Sequence, residues 1–184
     1  MKKLSSKYVT IHSANIEFVQ TSHLTMIKKE QTFTGVLQMK QGNKFRITME
    51  HQTIVTDGKT VWSYSAANNQ VLIDNYKEDA QSFSPEKILL HAPDNFYSTF
   101  LRMEQLKADT LALVKLTPKD ERSLIASMKI WIDGKDSLMK KVELTDASNN
   151  ITSYLISSIK VNTLVAEDVF RFVPPPQTEV IDLR

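Results

Sequence analysis

The side chains that most often bind metals or act as nucleophiles are scarce in this sequence. The chain has no cysteine, which excludes disulfides, thiolate metal sites and a cysteine nucleophile. The histidines do not have the spacing of metal ligands, so we expect them to be surface or structural residues. The four histidines are His12, His23, His51 and His91.

Carboxylate pairs are the other groups that could perform acid–base chemistry. Asp120-Glu121 and Glu167-Asp168 are adjacent in the sequence, but both fall in turn-like stretches where solvated carboxylates are common. The sequence also lacks a phosphate-binding glycine loop and a Gly-x-Ser-x-Gly nucleophile motif, and it has only four glycines. We therefore expect a protein that is not an enzyme and uses neither a metal nor a cofactor.

The charges exclude a second class of function. The sequence has 23 basic and 21 acidic residues, and the basic residues are scattered rather than clustered. Nucleic-acid-binding proteins concentrate positive charge on one surface, so we expect no nucleic-acid partner. No run of about 18 apolar residues is present to span a membrane. The first ten residues, "MKKLSSKYVT", lack the apolar core of a signal peptide, so we expect either a cytosolic protein or one whose signal peptide has been removed.

Methionine and aromatic residues give the chain a capacity for apolar binding. The sequence has seven methionines, and Met39, Met49, Met128 and Met139 fall in stretches that we predict as strands. Methionine fills irregular space and adapts to varied partners, so these residues suit either ordinary core packing or an adaptable apolar cavity.

Period-two alternation of apolar and polar residues predicts the strands that position these side chains. In residues 33–39 and 45–49 the alternation is clean, and the Gln41-Gly42-Asn43 turn separates the two stretches. Residues 95–106 fit a strand or a helix, and we favour the strand. The other predicted strands are 14–18, 61–65, 70–75, 110–116, 123–132, 138–144, 151–161 and 178–183.

The stretch "TDGKTVWSYSAANNQV", residues 56–71, predicts a β-hairpin. Asp57-Gly58 forms a tight turn before the first strand, because glycine tolerates a positive φ. Trp62 and Tyr64 then share one face of that strand. Each has a large apolar body and one polar atom, so we expect both to line an apolar cavity near its rim.

One segment breaks the strand pattern. In "SPEKILLHAP", residues 84–93, Ser84 is suited to the N-cap and Pro85 to the first helical position, and Pro93 ends the helix after about two turns. We call residues 84–93 the lid segment. Its adjacent apolar residues require an apolar surface to cover.

These elements predict a mainly β fold, a long antiparallel meander in a single domain over residues 1–184. Twist makes a sheet of this size curl into an incomplete β-barrel. Short helices would then lie over its apolar concave face as a lid.

Four stretches resemble the outer-membrane lipoprotein carrier protein family, LolA. The sequence "TDGKTVWSY" followed by "NNQV" is similar to a family motif, and three further pieces match in order across nearly the whole chain. They are "IEFVQ" (16–20), "LTPKD" (116–120) and "FRFVPPPQTEVID" (170–182).

The resemblance implies a monomeric periplasmic carrier with an incomplete β-barrel and a helical lid. Such a carrier takes the acyl chains of a lipoprotein from an inner-membrane lipoprotein-releasing transporter complex and passes the lipoprotein to an outer-membrane lipoprotein receptor. A periplasmic location also implies that a signal peptide, and part of an N-terminal helix, precede Met1 in the precursor.

Combining the strand alternation with this resemblance, we expect one face of the strands and the lid segment to line the acyl-chain cavity. The strand residues are Phe33, Leu37, Met39, Phe45, Ile47, Met49, Trp62, Tyr64, Ile130, Ile132 and Leu155. The lid residues are Ile88, Leu89 and Leu90.

The chain departs from the family pattern at Gln41-Gly42, where the best-known branch has Arg-Pro. In that branch the arginine is thought to hold the lid against the sheet, so we expect the lid to open more readily here. The alternative function is a lipid- or lipoprotein-sensing module of the same fold that signals through protein contacts. Regulators of that kind usually carry a second domain. We expect a single domain here, which favours the carrier.

Overall fold

A computed structural model describes residues 10–77, 96–106 and 108–184. These residues form twelve strands and one short 3-10 helix, Glu167–Phe170. The strands are β1 (Ser13–Leu24), β2 (Lys29–Lys40), β3 (Lys44–Met49), β4 (Gln52–Asp57), β5 (Thr60–Ser65), β6 (Gln70–Asn75), β7 (Phe96–Leu106), β8 (Asp109–Pro118), β9 (Ile125–Asp133), β10 (Met139–Asp146), β11 (Ile151–Val161) and β12 (Glu179–Asp182). The strand prediction for residues 95–106 is confirmed by β7.

All twelve strands belong to one sheet, in the order β12-β6-β5-β4-β3-β2-β1-β11-β10-β9-β8-β7. The sheet is curled but does not close into a barrel, which confirms the predicted fold class. The expectation of one continuous meander is wrong, because β6 and β7 are consecutive in the chain but lie towards opposite edges. The two halves meet instead where β1 pairs with β11. At the other edge, β12 pairs in parallel with β6.

The turns follow the local chemistry that the sequence indicates. Gly42 and Gly58 both have a φ of +91°. At the second of these turns, the Asp57 carboxylate accepts hydrogen bonds from the backbone N–H groups of Lys59 and Thr60, each at 2.8 Å. This arrangement satisfies two donors at the start of β5. The predicted hairpin is confirmed by the antiparallel pairing of β5 with β6.

The two faces of the sheet are packed differently. On the concave side, which we call the inner face, apolar residues from β1 to β3 and β8 to β11 form one group, the inner cluster. The cluster is continuous from β3 to β8 because each strand between them pairs with its neighbours in the curled sheet. The buried members are Ile11, Ala14, Ile16, Phe18, Leu37, Met39, Phe45, Val114, Leu116, Met128, Ile130, Ile132, Leu138, Met139 and Val142.

Gly35 allows the close approach of an aromatic ring on the inner face. It pairs with Phe18 across β1 and β2, and a Cβ added at Gly35 would lie 2.4 Å from the end of the Phe18 ring. We expect Gly35→Ala to lower the free energy of unfolding by about 1–3 kcal/mol, because the ring must move within a packed cluster. Urea unfolding monitored by circular dichroism measures the change.

Gly134 is the matched control for this substitution. A Cβ added there meets no atom within 4 Å, and its φ lies outside the left-handed region. Gly134→Ala should therefore leave the free energy of unfolding nearly unchanged. Equal losses in the two variants would contradict the steric argument at Gly35.

The opposite, outer face of β3 and β4 is covered by the C-terminal segment, residues 162–184. The 3-10 helix packs against β3 and β4. Arg46 lies on the outer face, and its guanidinium donates to the backbone carbonyls of Val169 and Arg171, each at 3.4 Å. Phe170, at the end of the 3-10 helix, is only 1% exposed. The C-terminal segment is therefore part of the packed structure.

Glu167 adds an ionic contact to this packing. Its carboxylate accepts hydrogen bonds from Lys40 and Lys44, the second at 2.7 Å. These bonds, Lys40 first, lower the pKa of Glu167 from 4.5 to about 2. Because the folded pKa is depressed, the contact stabilises the fold above the ordinary pKa and is lost as the pH falls towards about 2.

We therefore expect Glu167→Gln to be slightly less stable than the wild type at neutral pH, since an exposed ion pair contributes little. The difference should shrink between about pH 4.5 and pH 2, where the wild-type carboxylate becomes protonated. Unfolding curves at a series of pH values measure it. In a chain that carries Lys40→Met and Lys44→Met, Glu167→Gln should have no such effect, and a persistent effect would show that the lysines are not its cause.

The lid segment, with Ile88, Leu89 and Leu90, lies outside the described residues. Within residues 10–77, 96–106 and 108–184, no helix has the length and apolar character needed to cross a membrane.

Candidate functional site

The strand register assigns the side chains of the inner face. In an antiparallel sheet, residues paired across strands project to the same face. Leu37 pairs with Ile16 on one side and with Ile47 on the other, and Ile47 pairs in turn with Ile54. Four neighbouring strands thus contribute one apolar row.

The second half of the sheet continues this apolar surface. Ile130 on β9 pairs with Val114 on β8 and with Val142 on β10, and Val142 pairs with Tyr154 on β11. Tyr154 also contacts the Phe18 ring edge-on, with the ring centroids 5.6 Å apart. Both halves of the sheet are therefore joined at the β1–β11 junction.

The structure brings most of the predicted strand residues together on this inner face. Leu37, Met39, Phe45, Ile130 and Ile132 are buried in the inner cluster, and Ile47 and Met49 pack against it. The register and alternation along β2 place Phe33 on the same face. Binding of an acyl chain by these residues stays a prediction.

Three predicted residues lie on the outer face instead. Trp62 pairs with Val55, which pairs with Arg46, and Tyr64 is two residues along the same strand. Leu155 pairs with Lys141 on β10. The expectation that Trp62, Tyr64 and Leu155 share the face of Phe45 is therefore wrong.

The reason for the error is that the outer face is also apolar in places. The Tyr64 and Phe172 rings have centroids 5.6 Å apart, so the C-terminal segment supplies the apolar cover for β5. Alternation along the sequence correctly groups Trp62 with Tyr64, but it does not distinguish an inner face from an outer face that a distant segment covers. The sequence "YLI" around Leu155 is apolar on both faces.

Trp131 lies on the outer face in the other half of the sheet. Its indole N–H donates to the Glu104 carboxylate at 3.2 Å, and the Lys141 ammonium lies 4.4 Å from the ring centroid. The hydrogen bond from Trp131 is the main reason that the pKa of Glu104 is lowered. Both tryptophans thus lie away from the inner face, so we expect their fluorescence to report outer-face packing rather than direct ligand contact.

Several inner-face residues are missing from the sequence-based list. Phe18, Leu116, Met128 and Met139 are buried members of the inner cluster, and Tyr154 packs against it. Met128 and Met139 lie on predicted strands, and Phe18 shares a strand face with Ile16. The strand pattern in the sequence therefore could have identified these residues. The pairing of β1 with β11, which brings Tyr154 beside Phe18, has no local signal.

Apolar side chains fill the centre of the inner face. Charged side chains lie at its margins, where the register places Asp74 on β6 and Lys29 at the end of β2. Thr56, fully buried opposite Phe45, has its hydroxyl satisfied by the Gly58 N–H at 3.0 Å. The described part of the chain also contains no group of three or more metal-ligating residues. This surface is suited to an apolar ligand.

Gln41 lies in the turn between β2 and β3. Its side-chain amide donates to the Ile11 carbonyl at 3.4 Å, and its backbone N–H donates to the His12 carbonyl at 3.0 Å. The effect of glutamine at this position on the lid stays a prediction, because the lid segment lies outside the described residues.

Known proteins resemble this chain over nearly its whole length. The "outer-membrane lipoprotein carrier protein" of Pasteurella multocida is 28% identical over 185 residues, which cover 99% of this chain and 86% of that protein. The protein of the same name from Methylobacillus flagellatus is 31% identical over 159 residues, covering 83% of this chain and 74% of the relative.

Solved structures share the fold at low sequence identity. An uncharacterized conserved protein from Thermus thermophilus matches with a TM-score of 0.61 and 14% identity, covering 98% of this chain and 95% of that one. The Mycobacterium tuberculosis lipoprotein LppX matches with a TM-score of 0.52 and 11% identity, covering 91% and 95%.

The sequence profile of the family described as "Outer membrane lipoprotein carrier protein LolA" matches residues 9–173. This match covers most of the chain, including strands β1 to β11 and the 3-10 helix that packs on the outer face. The chain therefore belongs to the LolA family of outer-membrane lipoprotein carrier proteins.

Proposed function

We propose that this protein is a periplasmic carrier that binds the acyl chains of lipoproteins on its inner face and shuttles lipoproteins from the inner to the outer membrane. The observation that carries the proposal is the inner cluster, a continuous apolar surface built from both halves of an open, curled sheet. Family membership supplies the class of cargo.

The physical need for such a surface comes from the cargo. Each CH₂ group of an acyl chain costs about 0.8 kcal/mol to expose to water, so a released lipoprotein requires a protein surface that shields its chains. Non-directional apolar contacts suit chains of different length and saturation. The apolar inner cluster also avoids burying an unpaired ion beside the hydrocarbon.

The partners that this function requires are an inner-membrane transporter complex that releases the lipoprotein and an outer-membrane receptor that accepts it. We propose that the protein acts as a monomer and without catalysis, since transfer between apolar sites requires no covalent step. In this scheme a signal peptide directs the precursor to the periplasm and is then removed.

The test is release of a lipoprotein from spheroplasts. Spheroplasts that synthesise an outer-membrane lipoprotein are incubated with the purified protein, and the soluble fraction is assayed for the lipoprotein by immunoblot. We expect release that increases with carrier concentration, as a one-to-one complex with the protein.

The matched control is the same lipoprotein with its lipidated cysteine replaced by serine. It should appear in the soluble fraction whether or not the carrier is present, and it should not form a complex. Failure of the acylated form to appear with the carrier, under conditions where an established carrier releases it, would contradict the proposal.

A further inference from the structure

A group of uncharged polar side chains lies at one end of the inner face, beside the apolar surface. We call it the polar cluster, and it consists of Gln20, Ser22, Thr152 and Tyr154. Gln20 pairs directly with Tyr154 across β1 and β11, and Ser22 pairs with Thr152. The four residues therefore occupy two adjacent rows at the junction of the two halves of the sheet.

The register places the polar cluster on the inner face. Gln20 and Ser22 follow Phe18 at intervals of two along β1, and the Phe18 ring contacts Tyr154. The residues that pair with the cluster from β2 and β10 are all uncharged, which leaves a neutral polar site next to hydrocarbon-like surface. These neighbours are Gln31, Phe33, Val142 and Leu144.

The cluster has hydrogen-bonding capacity that its own members do not use. The Gln20 amide donates one hydrogen bond to the Ser22 hydroxyl at 3.2 Å, and the Ser22 and Thr152 hydroxyls are 3.4 Å apart. Within the described part of the chain, the Tyr154 hydroxyl has no hydrogen-bond partner. A carboxamide has two N–H donors, so Gln20 also keeps one to offer.

The state of Tyr154 fits a donor role. Burial raises the pKa of its hydroxyl above the ordinary value, so the group stays protonated at neutral pH. Tyr154 is only partly buried, and its hydroxyl is not among the described polar atoms that are both fully buried and unpartnered, so it is accessible to a ligand that supplies an acceptor. The matching ligand group is an acceptor without charge, since the direct cross-strand neighbours provide no counter-ion.

We propose that the polar cluster binds the ester or amide carbonyls that link acyl chains to their head group, and thereby fixes the direction in which an acylated ligand lies on the inner face. This inference rests on the proposed function and deepens it. The carbonyl end lies at Gln20 and Tyr154, and the chain runs along β1 and β2 towards Ala14 and Met39.

The dimensions of the inner face suit this orientation. Gln20 is six residue steps from Ala14 along β1, a distance of roughly 20 Å for an extended strand. Half of the hydrocarbon core of a bilayer is about 15 Å thick, which is the length scale of one lipid chain. Ala14 pairs with Met39, and both are buried, so the far end of this path is fully apolar.

A pair of matched probes tests the inference. The ester 1-monolauroylglycerol and the ether 1-O-dodecylglycerol have twelve-carbon chains on the same glycerol head group, but only the ester has a carbonyl. Binding of each to the intact protein is measured by isothermal titration calorimetry below the critical micelle concentration. One neutral hydrogen bond to the carbonyl should make the ester bind about three- to tenfold more tightly.

Two near-isosteric variants remove the donors. In Gln20→Leu and Tyr154→Phe the preference for the ester should fall towards onefold, while binding of the ether stays the same or becomes tighter. The control is Thr21→Val, because the Thr21 hydroxyl contacts Thr32 at 3.2 Å on the outer face of the same strands. This control should keep the wild-type preference, and unfolding curves establish that each variant is folded.

The outcomes separate the inference from the function on which it rests. Equal binding of ester and ether by the wild type, or an unaltered preference in both variants, overturns the polar-cluster assignment and leaves the carrier proposal standing. Failure of both probes to bind overturns both proposals. A preference that Thr21→Val also removes would locate the carbonyl contact on the other face.

Discussion

Replacing Phe170 with alanine is expected to destabilise this protein more than any other single change in the C-terminal segment. Phe170 is 1% exposed and is one of the largest fully buried side chains among the described residues. Truncating a buried phenylalanine costs about 3–5 kcal/mol, because the apolar contacts are lost and a cavity remains. For a chain of this length, the melting temperature should fall by roughly 6–20 °C.

The physical reason is that Phe170 anchors an element with little order of its own. The 3-10 helix has four residues, and its N-cap, Ala166, makes no side-chain capping bond. So short a helix depends on packing for its stability. Losing Phe170 should therefore also weaken the docking of β12 along β6, where the Glu179 N–H donates to the Asn69 carbonyl at 2.9 Å.

Val173→Ala is the control for this prediction. Val173 is in the same segment, three residues along, but it is 83% exposed. Its truncation should change the free energy of unfolding by less than about 0.5 kcal/mol. Thermal unfolding by circular dichroism compares the two variants, and hydrogen exchange over residues 162–184 reports whether the segment detaches. A loss in Phe170→Ala no larger than that in Val173→Ala would contradict the buried anchor.

Local alternation predicted most strands and the two-sided character of the sheet, because the period of two is a property of the strand itself. The clean patterns at 33–39 and 45–49 became β2 and β3, and the ambiguous stretch 95–106 became β7. The curled sheet followed from the number of strands that had to be accommodated in one sheet.

The sequence could not predict which distant elements meet. The pairing of β1 with β11 joins residues about 140 positions apart in the chain, and it brings Phe18 to Tyr154. The C-terminal segment also covers the outer face at Tyr64, so apolar side chains are buried there as they are on the inner face. A prediction based on apolarity alone therefore placed Trp62 and Tyr64 on the wrong face of the sheet. Whether a face of the sheet is buried depends on the segment that packs against it, and that segment is distant in the sequence.

The strongest effect on ligand binding is expected from a charge on the inner face. Met49 is partly buried, packs against the inner cluster and pairs with Gly35. Met49→Glu should weaken the binding of an acyl ligand at least tenfold, equivalent to about 1.4 kcal/mol, because the carboxylate must lose water or hold water beside the acyl chain. Calorimetric titration with 1-monolauroylglycerol, and lipoprotein release from spheroplasts, measure the loss.

Thr48→Glu provides the matched control, because it introduces the same charge one residue earlier on the same strand. Thr48 is exposed and pairs with Val36 on the outer face, so its carboxylate remains in water. Its binding affinity should equal that of the wild type, and both variants should stay folded, since neither position is fully buried. If Thr48→Glu weakened binding as much as Met49→Glu, the effect would be one of net charge. If neither variant weakened binding, the inner face would not be the acyl-binding surface, because the two substitutions place the same charge on opposite faces of the sheet.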